Sequence, residues 1–269
     1  VEVTDILRCP KTGNKLRIHH EDSIVRVEHS DVTYPIIDGI IDFCPVGRDA
    51  VSSAYDAIAS RYDKYMTSTN VFMKVFNVIV WGLGDDLDYD DTVLSYLPSQ
   101  FDGTLLDLPV GTGVFTGSLY TGFPNATIIA IDYSMGMLQR ARDRFQQHGL
   151  NNVCLLRADI ARLPVGDAAA DIVLSMNGLH AFPDKQRAIA EMRRVLRRHG
   201  TLVACCYVRG VRRLSDWFVK HLGARRGFFA SPFLHVDDIA SQLGAFTITR
   251  QGNVKSFVYF EAVKKKKEN

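Results

Sequence analysis

From residue 103 onward, short apolar runs alternate with amphipathic stretches, and that alternation leaves the chain few architectures to choose from. Strands fit at 104–108, 126–131, 152–156, 171–176, 201–207, 245–250 and 255–263. Helices fit between them at 114–121, 134–148, 184–197, 212–222 and 236–243. Runs this apolar imply strands buried on both faces, hence a parallel sheet with helices on either side. The last two strands, separated by Gln251-Gly252-Asn253, read instead as an antiparallel hairpin at one edge. The predicted fold class is α/β, a doubly wound, mostly parallel, seven-stranded Rossmann-like sheet.

The chain before this region differs in character. Residues 1–46 form a small β-rich module, with β-prone runs at 15–18, 24–27 and 32–37 and turn signals at Gly13-Asn14 and Asp38-Gly39. So short a segment buries little on its own and is expected to lean on its neighbour. Residues 45–49 read as a linker to a second unit at 52–263, and Lys264 to Lys267 open a basic tail at 264–269. The second unit begins with a helix carrying Ala54, Tyr55, Ile58, Ala59 and Tyr62 on one side. An apolar helix over 71–81 follows, and an acidic stretch at 85–91 leads into a third helix ending near Leu97-Pro98.

With 46% hydrophobic residues in 269, the chain has material for a sizeable core, and disorder is excluded as its main theme. The formal charge of +2 points to no class of partner. Arg193, Arg194, Arg197, Arg198, Arg209, Arg212 and Arg213 gather late, as solvated helix faces or as a phosphate-binding surface. Five cysteines, none in a C-x-x-C pair, suit a reducing compartment better than a disulfide framework. No apolar run approaches the roughly 20 residues of a membrane span, and the first seven residues carry neither a basic leader nor an apolar signal core. A soluble, cytoplasmic protein is expected.

In a doubly wound sheet, ligands bind beyond the carboxyl ends of the strands. Four predicted strand ends carry suitable groups. The first delivers Asp107 into a turn containing Gly111 and Gly113, where bare backbone can approach a polar ligand. Pro109 stands in that turn where a glycine is usual, and it has no amide hydrogen to donate. The second strand ends in Asp132, placed to accept hydrogen bonds from both hydroxyls of a ribose, although it is equally placed to cap the next helix. Asp159 after the third strand suits an exocyclic adenine amine or merely ends the strand, and Tyr133, Met137 and Ile160 offer apolar walls for a ring. The fourth strand runs into Asn177-Gly178-Leu179-His180. Asp107 suits a cationic amino-acid portion better than a pyrophosphate, which it would repel.

Residues 52–263 resemble class I S-adenosylmethionine-dependent methyltransferases, in particular the small-molecule branch that includes quinone-biosynthesis enzymes. The likeness rests on the stretch from Leu106 to Gly113, on Ile131-Asp132-Tyr133-Ser134 with Met137-Leu138, on Ala158-Asp159-Ile160 with Leu163-Pro164, and on Arg194-Val195-Leu196-Arg197. It implies that Asp107 and the Gly111 and Gly113 backbone hold the methionine part of the cofactor, Asp132 the ribose, and Asp159 with Ile160 the adenine. By the same likeness Asn177 sits beside the sulfonium and Tyr55 and Tyr62 close over the cofactor. Those two tyrosines, a heptad apart on an apolar face, equally suit core packing. Pro109 is where the family pattern is broken.

His180 stands where a general base could meet an acceptor, although methyl transfer from a sulfonium often needs only in-line positioning. The expected activity is transfer of a methyl group to an O, N or C nucleophile on a small apolar or aromatic molecule. The apolar helix with Val75, Phe76, Ile79 and Trp81, and the segment with Trp217, Phe218, Phe228 and Phe229, would wall its pocket or simply pack the core. RNA methylation, prompted by the basic late segment, and a non-catalytic cofactor-binding scaffold are the alternatives. Through Ile6-Leu7-Arg8-Cys9-Pro10 and the stretch from Tyr34 to Ile40, the N-terminal module resembles the small zinc-ribbon-like partner proteins of tRNA and protein methyltransferases. Thr12 stands where a second cysteine ligand belongs, so no metal is expected.

Overall fold

In the computed structural model, which describes residues 3–19, 21–44, 75–83 and 89–265, successive residues of the central strands divide between two apolar cores. The strands are β1 (Leu16–His19), β2 (Ile24–Val27), β3 (Thr33–Ile37), β4 (Ile40–Asp42), β5 (Thr104–Asp107), β6 (Thr127–Asp132), β7 (Val153–Arg157), β8 (Ala170–Met176), β9 (Leu196–Tyr207), β10 (Phe246–Val254) and β11 (Phe257–Lys264). Among the described residues they make one eleven-stranded sheet in the order β1-β2-β3-β4-β7-β6-β5-β8-β9-β11-β10. Leu105, Ile128, Leu155, Leu174 and Val203 enter one core, while their chain neighbours Leu106, Ile129, Leu156, Val173 and Leu202 enter the other. Burial on both faces is what made these strands read as unbroken apolar runs.

The strands from β4 to β9 run parallel, and the chain leaves β5 first toward β6 and β7, then returns to the other side for β8 and β9. The crevice between β5 and β8 is therefore the topological switch point of the sheet. The helices are α1 (Val3–Ile6), α2 (Tyr89–Leu94), α3 (Met135–Gln147), α4 (Lys185–Val195), α5 (Arg213–Phe218) and α6 (Ile239–Gln242). Side chains start the two long ones. Ser134 Oγ accepts from the Met137 amide at 3.1 Å, and Asp184 Oδ1 from the Arg187 amide at 2.9 Å.

Four expectations need correction. The seven expected strands form as β5 to β11, but the sheet is larger because the N-terminal segment joins it: Ile40, Ile41 and Asp42 pair in parallel with Leu155, Leu156 and Arg157. The β3–β4 connection explains how, since Asp38 (φ 52°) and Gly39 (φ 81°) make the two-residue turn that brings β4 back antiparallel. Leu7, Cys9, Tyr34, Ile41 and Phe43 then share a core with Ile131 and Leu156. Second, 114–121 is a series of turns ending in a 3-10 turn at Leu119–Gly122, not a regular helix. Thr116 there spends its hydroxyl on Asp107, and Gly117 adds backbone freedom.

Third, the last hairpin turns at Lys255 and Ser256, and Gln251-Gly252-Asn253 lie within β10. Gly252 is a strand residue opposite Tyr259, whose phenol ring would meet a β-carbon there at 2.5 Å. Fourth, the helix expected over 212–222 is α5 continued by a π-helical turn at Val219–Gly223, and another π turn spans Asn77–Trp81. The Cys9 Sγ lies 3.4 Å from the Tyr34 hydroxyl. No helix among the described residues is long and apolar enough to cross a membrane.

Candidate active site

The carboxyl ends of β5, β6, β7 and β8 surround a cavity of about 280 Å³ at the switch point. Asp107, Pro109, Gly111, Asp132, Tyr133, Met137, Asp159, Ile160 and Asn177 all line it. Gly113 does not, and its role is packing: with φ at 67°, a β-carbon there would lie 2.7 Å from the ring of Phe145 on α3. Gly111, also at positive φ, faces open space, so its backbone stays bare on the pocket side. Tyr55 and Tyr62 lie outside the described residues.

Asp107 is 1% exposed, and its Oδ2 accepts hydrogen bonds from Tyr120 Oη (2.7 Å) and Thr116 Oγ1 (3.0 Å). Oδ1 is equally buried and has no hydrogen-bond partner among the described residues. Burial, against the help of those two hydroxyls and with the nearby Asp132 charge, pushes this carboxyl up to about 7. A buried oxygen with nothing to accept from, lining a cavity, is a place for a donor of positive charge.

Asp132 organises the turn it faces. Its Oδ2 accepts from the Gly111 amide and its Oδ1 from the Ser134 amide, both at 2.9 Å. These two bonds fix the side chain at the pocket wall. Asp159 caps the 3-10 turn Ile160–Arg162 through Oδ1 to the Ala161 amide at 2.9 Å and remains exposed at the pocket wall.

Pro109 fits because of a glycine elsewhere. The Leu108 amide bonds to Leu174 O and the Val110 amide to Ile131 O, both at 2.9 Å, so the amides on either side of the proline are held by β8 and β6. Its ring lies against Gly178, where a β-carbon would come within 2.2 Å of Pro109 Cδ. The loop after β8 thus supplies the space that the loop after β5 occupies. Asn177 enters that second loop at φ 55° with its amide bonded to Cys205 O at 3.1 Å.

His180 is placed behind the pocket wall and does not line it. Its Nδ1 accepts from the Tyr207 amide at 3.1 Å and its ring stacks on Phe229 at 4.7 Å. Burial, then the Lys185 charge, push the imidazole down to about 3, so it is neutral at physiological pH with Nδ1 already engaged. Trp81, Phe218 and Phe229, expected as substrate walls or core, pack with Tyr207 and Phe257 into an aromatic cluster.

Several residues that build the site were not among the sequence candidates. Phe115, Phe182 and Pro183 line the cavity, and Thr116 and Tyr120 hold Asp107. Arg157 is 8% exposed; its Nη1 donates to Asp42 Oδ2 (3.1 Å) and Cys44 O (3.0 Å), and its Nε to Tyr133 O (3.0 Å). Through it the N-terminal segment reaches the wall that carries Tyr133.

Residues 105–200 match the family model described as Methyltransferase domain. A demethylmenaquinone methyltransferase of Clavibacter sepedonicus is 31% identical over 176 residues, which cover 64% of this chain and 62% of that protein. An uncharacterized chloroplastic methyltransferase of Arabidopsis thaliana is 31% identical over 134 residues, 48% of this chain and 38% of its own length. The chain thus spans less than two thirds of either curated relative. Among solved structures, a chain from the complex of the Haloferax volcanii Trm112 methyltransferase activator with a methyltransferase superposes with a TM-score of 0.62 at 17% identity, covering 82% of this chain and all of that one. At that identity the fold is what is shared. Residues 105–200, which match a methyltransferase domain, are also the residues that carry most of the cavity wall.

Proposed function

We propose that the whole chain is an S-adenosylmethionine-dependent methyltransferase acting on an O, N or C nucleophile of a small, apolar or aromatic molecule. The observation that carries this reading is the unpartnered Oδ1 of Asp107, buried in the wall of a cavity that Asp132 and Asp159 share. Those three carboxylates at successive strand ends match the three polar portions of this cofactor. Asp107 takes the amino group of the methionine portion, Asp132 the ribose hydroxyls and Asp159 the adenine amine, with Tyr133, Met137 and Ile160 around the ring. The bare Gly111 backbone allows close approach beside Asp107. When bound, the cofactor supplies a methyl group on a positively charged sulfur.

The protein's part is then to bind, orient and exclude water. Apolar Phe115, Phe182 and Pro183 in the same wall suit a dry site, and in-line positioning supplies much of the rate without a dedicated base. His180, with its Nδ1 used structurally and its ring behind the wall, is read as a support for the loop bearing Phe182. The demethylmenaquinone methyltransferase relative favours an apolar ring acceptor over RNA. We read the N-terminal segment as a fused brace, resembling zinc-ribbon-like methyltransferase partners, that holds Tyr133 in place through Arg157.

Calorimetry with S-adenosylhomocysteine, S-adenosylmethionine and NAD tests the cofactor assignment. Binding of the first two and not of NAD, weakened by Asp132→Ala, is expected. Preference for NAD, or indifference to Asp132→Ala, overturns it. Transfer of labelled methyl from S-adenosylmethionine to a panel of quinols and phenols tests the acceptor class, and transfer to RNA alone would refute it.

A further inference from the structure

Of the eight exposed large apolar side chains among the described residues, seven lie in one place: Val75, Val78, Ile79, Val211, Leu214, Trp217 and Leu222. Trp217 is 55% exposed and Ile79 53%. Two segments bring them together. The π turn Asn77–Trp81 is fastened to the start of α5 by Ser215 Oγ and Arg212 Nη2, which donate to Val80 O and Ile79 O, both at 2.6 Å. On the inner side Trp81 and Phe218 pack edge to face at 5.6 Å, so each segment turns one apolar side into the aromatic cluster and another outward. Among the described residues, the outer side has no apolar partner.

Along the second of these segments the exposed charge has one sign. Arg209, Arg213, Lys220, Arg225 and Arg226 are exposed on the same stretch of chain. Asp216 is the only acid between residues 201 and 230, and it faces inward, accepting from Tyr207 Oη at 2.6 Å and from the Gly210 amide at 3.1 Å. From these observations we infer that this face docks onto an anionic lipid surface. Apolar side chains with an exposed tryptophan enter the interface between headgroups and acyl chains, and the ring of cations meets the phosphates.

Neither alternative occupant suits the face as well. A second copy of this chain would lay five cations against five like charges across a two-fold interface. Nucleic acid would use the cations but gains nothing from exposed Val78, Ile79, Leu214 and Leu222, since bases stack on aromatic rings. The docking face follows the carboxyl end of β9, which runs parallel to β8, so it lies on the sheet edge that carries the cavity. It depends on none of the cofactor assignments.

Co-sedimentation of the full chain with vesicles of phosphatidylcholine alone, and of phosphatidylcholine mixed with phosphatidylserine, tests the inference. Binding to the mixed vesicles that weakens as salt rises is expected, with each cation contributing roughly a fivefold gain in partitioning. Tryptophan emission shifts to the blue on binding, and the shift is lost in Trp217→Ala, which keeps only Trp81. Trp217→Ala lowers partitioning roughly tenfold, and Arg225→Glu with Arg226→Glu lowers it further, while both variants keep the wild-type melting temperature and S-adenosylhomocysteine affinity. Absence of binding to either vesicle, or equal binding by the variants, overturns the inference. So does retention of the protein on RNA in preference to mixed vesicles, or a dimer that Trp217→Ala dissolves.

Discussion

Asp107→Asn separates two effects that meet in one carboxylate. In the folded protein burial raises this group from the ordinary 3.8 to about 7, while the unfolded chain keeps the ordinary value. The folded state therefore holds a proton that the unfolded state releases. The stability linked to that proton is complete below about pH 4 and is lost as pH rises through 7. A gap of this size corresponds to at most about 4 kcal/mol at alkaline pH. Asparagine keeps an oxygen for Tyr120 and Thr116 but never ionises. Without cofactor, Asp107→Asn is expected to melt higher than wild type at pH 8, with the difference closing near pH 4. Cofactor binding moves the other way. The ionised carboxylate is the form that pairs with an amino group, so wild-type affinity for S-adenosylhomocysteine should fall up to about tenfold per pH unit below 7. In Asp107→Asn that affinity should be lower by about 1.5–3 kcal/mol, the worth of a charge-assisted hydrogen bond, and flat with pH. Thermal melts across pH and calorimetric titration supply both readouts. Wild-type affinity that does not change between pH 5 and 8, with Asp107→Asn binding equally well, would refute the assignment.

Asp42→Ala strands the Arg157 guanidinium, and since the two side chains are 4% and 10% exposed, about 3–5 kcal/mol of stability should be lost. A melting temperature within a degree or so of wild type would show that the pair contributes little. Gly178→Ala drives a methyl into Pro109, Phe182 and Ser175 and should cost about 1–3 kcal/mol, and Pro109→Gly should restore the part that comes from the closest of the three, Pro109 Cδ; equal melting of single and double variants would break the proposed complementarity. His180, pushed down to about 3, should show by nitrogen NMR a neutral ring protonated at Nε2 with no titration between about pH 5 and 8. Because its folded value lies below the unfolded one, its contribution to stability should decline as pH falls from about 6.5 toward 3.

The alternating region was legible because periodicity and burial obey the same geometry. Two-sided strands such as β6 and β8 leave apolar runs, and acids at their ends announce themselves by position. What could not be read depends on contacts distant in sequence. Nothing near Tyr120 shows that its hydroxyl returns to Asp107, and nothing near Arg157 shows that it pairs with Asp42, more than a hundred residues earlier. Gly252 misled for a related reason: glycine signals a turn locally, but here it makes room for Tyr259 across the hairpin. Pro109 reads as a defect in a glycine loop when taken alone, because the Gly178 that makes room for its ring lies on another loop. His180 stood at the right position in the chain but turned to the wrong side of the wall, which register alone does not disclose.

The parallel pairing of β4 with β7 also bears on solubility. Without residues 16–42, β7 would present a row of unpaired amide and carbonyl groups along an apolar strand, a template for joining another chain. With them, that boundary moves outward to β1, which is four residues long and carries Arg17 and His19. A short, charged outermost strand discourages edge-to-edge association. Removing the N-terminal strands should therefore leave a protein that aggregates even where its pocket can still form.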